Sequence, residues 1–144
     1  MTVFVVDASV VIKWVSTEAD SDQALVLMRH HRLLAPDLLT AEIANTLATK
    51  IRLEEFSLSE AEEAAEFIGA VEIQLTATAG FMTTAIGLSA ALKHPAYDCF
   101  YLALALAKGV RFVTADSCFL RALARFGTDQ QRAACISLQD ASKR

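Results

Sequence analysis

Four acidic residues, Asp7, Glu42, Asp98 and Asp116, stand far apart along the chain, yet each adjoins a segment able to carry it to a common edge. Two carboxylates about 4 Å apart at an effective dielectric near 20 repel by roughly 4 kcal/mol, so a cluster of them takes up protons or binds a cation. An all-oxygen set, with no His or Cys placed to join it, selects a hard ion, Mg²⁺ or Mn²⁺. One or two such ions lower the pKa of an attacking water and screen charge in an in-line displacement at phosphorus. The quartet therefore suits phosphodiester hydrolysis with no His or Lys as base. In that chemistry Asp7, Asp98 and Asp116 are the principal ligands, and Glu42 ligates or orients the water. Ser9 and Thr114 are placed to support the carboxylates by hydrogen bonds. Each residue also has a plainer role open to it. Asp7 and Asp116 fit turns, Asp98 fits a helix N-terminus, Glu42 fits a surface, Ser9 fits a helix cap and Thr114 fits a strand end.

The elements that position these residues follow from the apolar pattern. Val3 to Val6 is a short apolar run ended by Asp7, the mark of a strand buried on both faces of a parallel sheet. A segment capped by Ser9 is expected through Trp14, a helix over Asp20 to His30, and a second strand over Leu33 to Ala35. Pro36 and Asp37 open a helix whose Leu39, Ile43, Leu47 and Ile51 form one apolar stripe with Glu42 at its margin. Ser59 and Glu62 are expected to form a capping box for a helix reaching about Ile68 and ended by Gly69. A third strand over Val71 to Leu75 and a helix over Ala79 to Leu92 come next. After Pro95 a very apolar helix runs from Asp98 to Lys108 and stops at Gly109. Val110 to Val113 reads as a fourth strand, Ser117 to Phe126 as a helix closed by Gly127, and Cys135 to Leu138 as a fifth strand.

This alternation predicts the α/β class, a three-layer α/β/α arrangement around a mostly parallel five-stranded sheet. The carboxyl ends of parallel strands share one edge, and ligands bind in the crevice outside it. Asp7 and Asp116 follow the first and fourth strands to that edge. Asp98 opens a helix that runs antiparallel to the fourth strand, so it starts at the same edge. Glu42 lies one to two helical turns beyond the second strand.

With 144 residues, 54% of them hydrophobic, and no repeat or Pro/Gly-rich linker, residues 1–144 are expected to form a single domain with a sizeable core. The first residues lack a basic stretch and read as a strand, not a signal peptide. Residues 73–92 are uncharged, but Gln74, Thr76, Thr78, Thr83, Thr84 and Ser89 make them too polar for a membrane span. Cys99, Cys118 and Cys135 are odd in number and form no C-x-x-C pair, which fits reduced thiols and a cytoplasmic location and gives no zinc site. Thirteen basic residues against seventeen acidic ones, a net charge of −4, exclude a generic basic coat for nucleic acid. If four acids gather in one site, the other thirteen balance the cations, and local fields decide binding. The acidic stretch from Glu54 to Glu72 reads as a solvated helix face, which steers a polyanion elsewhere. Arg111, Arg121 and Arg125, with Arg132, are the candidate RNA phosphate contacts.

Val5-Val6-Asp7-Ala8-Ser9-Val10, Glu42 in its helix, Tyr97-Asp98-Cys99-Phe100-Tyr101-Leu102-Ala103-Leu104-Ala105, and Val113-Thr114-Ala115-Asp116-Ser117-Cys118-Phe119 resemble the four signature segments of PIN-domain ribonucleases, most nearly the VapC toxin group. The resemblance spans nearly the whole chain in order and spacing. It implies a metal-dependent endoribonuclease, the toxin of a toxin–antitoxin pair, inhibited by a cognate antitoxin and commonly a homodimer. Asp7, Glu42, Asp98 and Asp116 match the family's acidic quartet, and Ser9 and Thr114 its hydroxyl positions. Cys118 departs from the pattern where many members carry a further aspartate, so a second ion would have one ligand fewer.

Two readings compete. Receiver-like regulatory modules also gather aspartates at this edge, but they need a site lysine and adjacent acids near the first strand, whereas Phe4, Val5 and Val6 precede a solitary Asp7. A catalytically silent PIN-like scaffold is the other. Among the remaining residues, His30 and His31 suit a helix C-terminus, His94 a loop, and the cysteines packing. Trp14 and Phe56 suit core packing or a partner helix, and Tyr97 and Tyr101 suit core packing or RNA stacking.

Overall fold

β1 (Val3–Val6) is buried from Phe4 onward, as an apolar run covered on both faces must be. The computed structural model describes all residues from Met1 to Arg144. After β1 come α1 (Ala8–Val11), a 3-10 turn at Ile12–Trp14, α2 (Ser21–His30), β2 (Arg32–Pro36), α3 (Leu38–Arg52) and α4 (Leu58–Ala70). β3 (Ile73–Thr76), a 3-10 turn at Thr78–Phe81, α5 (Met82–Leu92), α6 (Ala96–Lys108) and β4 (Arg111–Thr114) follow. α7 (Ser117–Phe126), α8 (Asp129–Ala133), β5 (Cys135–Ser137) and α9 (Leu138–Ala141) complete the chain. The strands form one sheet in the order β3-β2-β1-β4-β5, and every pairing is parallel, so the fold is a three-layer α/β/α arrangement. No helix is long and apolar enough to cross a membrane.

The strand order creates the functional edge. From β1 the chain moves outward through β2 to β3, then returns to lay β4 on the other side of β1 and continues to β5. The direction of winding reverses between β1 and β4, and the loops leaving such a pair diverge to opposite faces and open a crevice. Asp7 follows one of these strands and Asp116 the other. Their register pairs Val6 with Val113, which sets Thr114 beside Asp7.

α6 forms the heart of one helical layer. Cys99 and Tyr101 through Ala105 are buried, as expected of a helix apolar nearly all round. Tyr101 stacks on Phe112 of β4 with ring centroids 5.5 Å apart, and Phe112 meets Phe119 of α7 at 5.6 Å. Each such burial contributes about 1.5–3 kcal/mol. These contacts lock α6, β4 and α7 together, the three elements that carry Asp98, Thr114 and Asp116.

Several local details differ from the sequence reading. Asp7, not Ser9, caps α1, its carboxylate accepting from the Val10 N–H at 3.3 Å. Pro36 ends β2 instead of opening α3, because it still pairs in register with Thr76 of β3, whose carbonyl accepts from the Asp37 N–H at 2.8 Å. The capping box of α4 is Ser57 with Glu60, both reciprocal bonds being present, and Gly69 lies inside the helix. α8 and α9 are short helices that the apolar pattern did not reveal, and Leu138 opens α9 after β5.

Gly109 ends α6 in the left-handed region, with φ of 66°, as anticipated. Gly127 ends α7 for another reason: its φ is −75°, and a β-carbon there would lie 2.5 Å from the Leu123 carbonyl oxygen. Gly127→Ala is therefore expected to destabilise the protein by about 1–3 kcal/mol through backbone displacement, read as a lowered melting temperature. An unchanged melting temperature would contradict this steric account.

Candidate active site

Asp7, Glu42, Asp98 and Asp116 all line one cavity of about 240 Å³, together with Ala8, Ser9, Ile12 and Thr46. A larger hollow of about 430 Å³ lies near the start of β2, lined by Met28, His31, Arg32 and Glu72 among others, and gathers no comparable set of like charges. The four acids arrive from the end of β1, the second turn of α3, the first turn of α6 and the loop after β4, as the topology anticipated.

Asp7 is the deepest, only 4% exposed. Ser9 Oγ donates to its Oδ1 at 2.5 Å, and Thr114 Oγ1 donates to its Oδ2 at 2.6 Å. The Ala115 N–H donates to Ser9 Oγ at 3.0 Å and the Asp116 N–H to Thr114 Oγ1 at 3.1 Å, so the two hydroxyls tie the end of β1 to the loop after β4. Burial pushes the Asp7 carboxyl up to about 7, against the pull of these hydrogen bonds and with the help of the Asp98 charge.

Burial also raises the Asp98 carboxyl; the His94 hydrogen bond opposes this, and the neighbouring Asp116 adds to it. Glu42 is raised by burial, opposed by the Tyr101 hydroxyl that donates to its Oε1, and raised further by Asp98. Asp116 caps α7, its Oδ1 accepting from the Cys118 N–H at 2.9 Å and the Phe119 N–H at 3.2 Å. The carboxylates thus sit where ionising them together is opposed by burial and mutual repulsion. The ligand atoms that line the cavity are oxygens, a donor set that fits a hard divalent cation.

Two side chains at this site were not anticipated. The sequence suggests a loop position for His94 outside an all-oxygen set, yet its Nε2 lies 2.5 Å from Asp98 Oδ2. Ligand atoms of His94, Asp98 and Asp116 all fall within 4.8 Å of one another. Tyr101 is fully buried but sends its hydroxyl to Glu42. The available signal was spacing: His94 and Tyr101 stand four residues before and three after Asp98, one turn away on either side.

The other candidates are dispersed. Arg111 opens β4 at the amino edge of the sheet, away from the acids, because Thr114 at the strand's other end is the residue that meets Asp7. Arg121 is exposed one turn into α7, and Arg125 is exposed near its end with its guanidinium 5.0 Å from the Phe126 ring centroid. Arg132 is exposed and lies 2.5 Å from Asp129. Tyr97 is 63% exposed, whereas the Trp14 indole is buried and donates to the Ala24 carbonyl at 2.9 Å. Burial pushes the Cys99 thiol up to about 11 and Cys135 to about 12, while Cys118 is exposed.

Comparison with known proteins agrees with this fold. The chain superposes on the crystal structure of PAE2754 from Pyrobaculum aerophilum with a TM-score of 0.71 at 18% identity, covering 99% of this chain and 94% of that one, a likeness of fold. No curated protein matches the sequence. The family profile described as PIN domain matches residues 4–124, a span that includes all four cavity acids. Because that match runs unbroken from β1 into α7, the chain belongs to the PIN domain family, whose members are generally metal-dependent nucleases.

Proposed function

We propose that the protein is a Mg²⁺- or Mn²⁺-dependent endoribonuclease that hydrolyses RNA phosphodiester bonds at the Asp7–Glu42–Asp98–Asp116 cavity, as the toxin of a VapC-type toxin–antitoxin pair. The observation that carries the reading is the meeting of four acids, from four separate elements, in one cavity. Asp7, Asp98 and Asp116 are the residues to hold one or two ions. A bound divalent ion supplies positive charge at the scissile phosphate and acidifies the attacking water. Ser9 and Thr114 fix both oxygens of Asp7, so that carboxylate presents one orientation. Glu42, raised by burial and held by Tyr101, is suited to accept the water's proton or orient it. Arg121, on the helix that Asp116 caps, is better placed than Arg111 to meet flanking phosphates.

The toxin role, a cognate antitoxin and a homodimer draw their support from the sequence resemblance around Tyr97 to Ala105 and Thr114 to Asp116, and a cytoplasmic location from the unpaired cysteines. The deciding experiment incubates metal-stripped protein with tRNA and ribosomal RNA, then restores Mg²⁺ or Mn²⁺ and maps the cuts. Cleavage at internal positions only after metal is restored is the expected result. Binding of RNA without cleavage under either ion would favour a silent scaffold.

A further inference from the structure

His94 is held more firmly than a residue between two helices needs to be. Lys93 before it adopts the left-handed conformation, φ 52° and ψ 45°, which residues with a β-carbon seldom take. Pro95 after it is the N-cap of α6. The His94 N–H donates to the Ser89 carbonyl at 3.3 Å, and Ser89 Oγ donates to the His94 carbonyl at 2.6 Å. The ring stands edge-on to Phe119, centroids 5.2 Å apart at 75°. Backbone and ring are thus fixed from α5 and α7, and the His94 side chain is 7% exposed.

A buried imidazole requires a partner for its N–H, and here the contact is Asp98 Oδ2 at 2.5 Å. His94 does not line the cavity that Asp98 lines. Its ring nitrogen meets Asp98 from outside that lining, within 4.8 Å of an Asp116 oxygen as well. We propose that His94 is a positioning residue for the metal centre: its Nε2–H donates to Asp98 Oδ2, fixes the Asp98 rotamer and leaves Oδ1 for the ion. The inference rests on the metal-dependent reading above and extends it to a residue outside the acidic quartet.

The probe is Mn²⁺ alone, titrated calorimetrically into the full chain. Partners of ligating side chains typically change metal affinity by about 10- to 100-fold, so His94→Ala is expected to weaken Mn²⁺ binding by that factor. His94→Gln, whose amide N–H reaches a similar place, is expected to recover most of the loss. His94→Leu fills the space without a polar atom and replaces His94→Ala if that variant does not fold. Pulsed electron paramagnetic resonance of the Mn²⁺-loaded wild-type protein is expected to show no nitrogen coupling from a directly bound imidazole. Unchanged affinity in the variants lacking the N–H would overturn the proposal, as would a strong imidazole coupling, which would make His94 a ligand. Failure of the wild-type protein to take up Mn²⁺ would instead overturn the metal-dependent reading from which the proposal starts.

Discussion

Asp7→Asn is expected to reduce RNA cleavage by at least about 10³-fold while the chain remains folded. Asparagine keeps the shape of aspartate. Its carbonyl oxygen can still accept from Ser9 and the Val10 N–H, and its amide can donate to Thr114 Oγ1 with that hydroxyl's role reversed. What disappears is the negative charge at the deepest point of the cavity. The metal-free variant therefore melts at the same temperature as the wild-type protein or above it, since a buried carboxyl has been replaced by a neutral group. A labelled-RNA cleavage assay beside a thermal melt separates the two effects. Full activity in a folded Asp7→Asn protein would remove Asp7 from the proposed centre.

The metal-free protein is expected to lose stability as pH rises from about 4 to about 7, a direction opposite to that of proteins held by ion-paired carboxylates. Asp7 has a folded pKa of about 7 against an ordinary 3.8. Between those values the folded state keeps a proton that the unfolded chain has released, so each step up in pH favours unfolding. Its contribution is fully present below about pH 4, falls across the window and is gone above about pH 7, amounting to up to roughly 4 kcal/mol. Glu42 and Asp98 are shifted in the same direction and steepen the fall. Saturating Mn²⁺ binds the ionised carboxylates of the folded state, more tightly as pH rises, and so flattens or reverses the slope. Denaturant titrations in a chelator and in Mn²⁺, repeated across this pH range, measure both slopes. A metal-free stability that climbs with pH through the window would show that these carboxyls are not raised.

The acidic quartet was legible in the sequence because its placement depends on topology. Once Val3 to Val6 and Val110 to Val113 are recognised as strands of one parallel sheet, Asp7 and Asp116 have nowhere to go but its carboxyl edge. Asp98 and Glu42 follow from helix direction and periodicity. Side-chain partnerships were less legible. Ser57-x-x-Glu60 and Ser59-x-x-Glu62 satisfy the same capping pattern two residues apart, and the local pattern alone does not choose between them. His94 reaches Asp98 only through the left-handed turn at Lys93, and nothing about a lysine announces that conformation. Tyr101 looks like a core aromatic because its ring is one; only the direction of its hydroxyl makes it a neighbour of Glu42.

The reversal of winding between β1 and β4 also sets when the acidic pocket is completed during synthesis. Asp7 precedes most of the fold along the chain, and the strand that completes its surroundings lies more than a hundred residues later, as do the Thr114 hydroxyl and the Asp116 carboxylate. A chain interrupted before β4 has one side of its central strand bare and only part of its acidic pocket. The complete acidic pocket is accordingly formed late, when β4 packs beside β1.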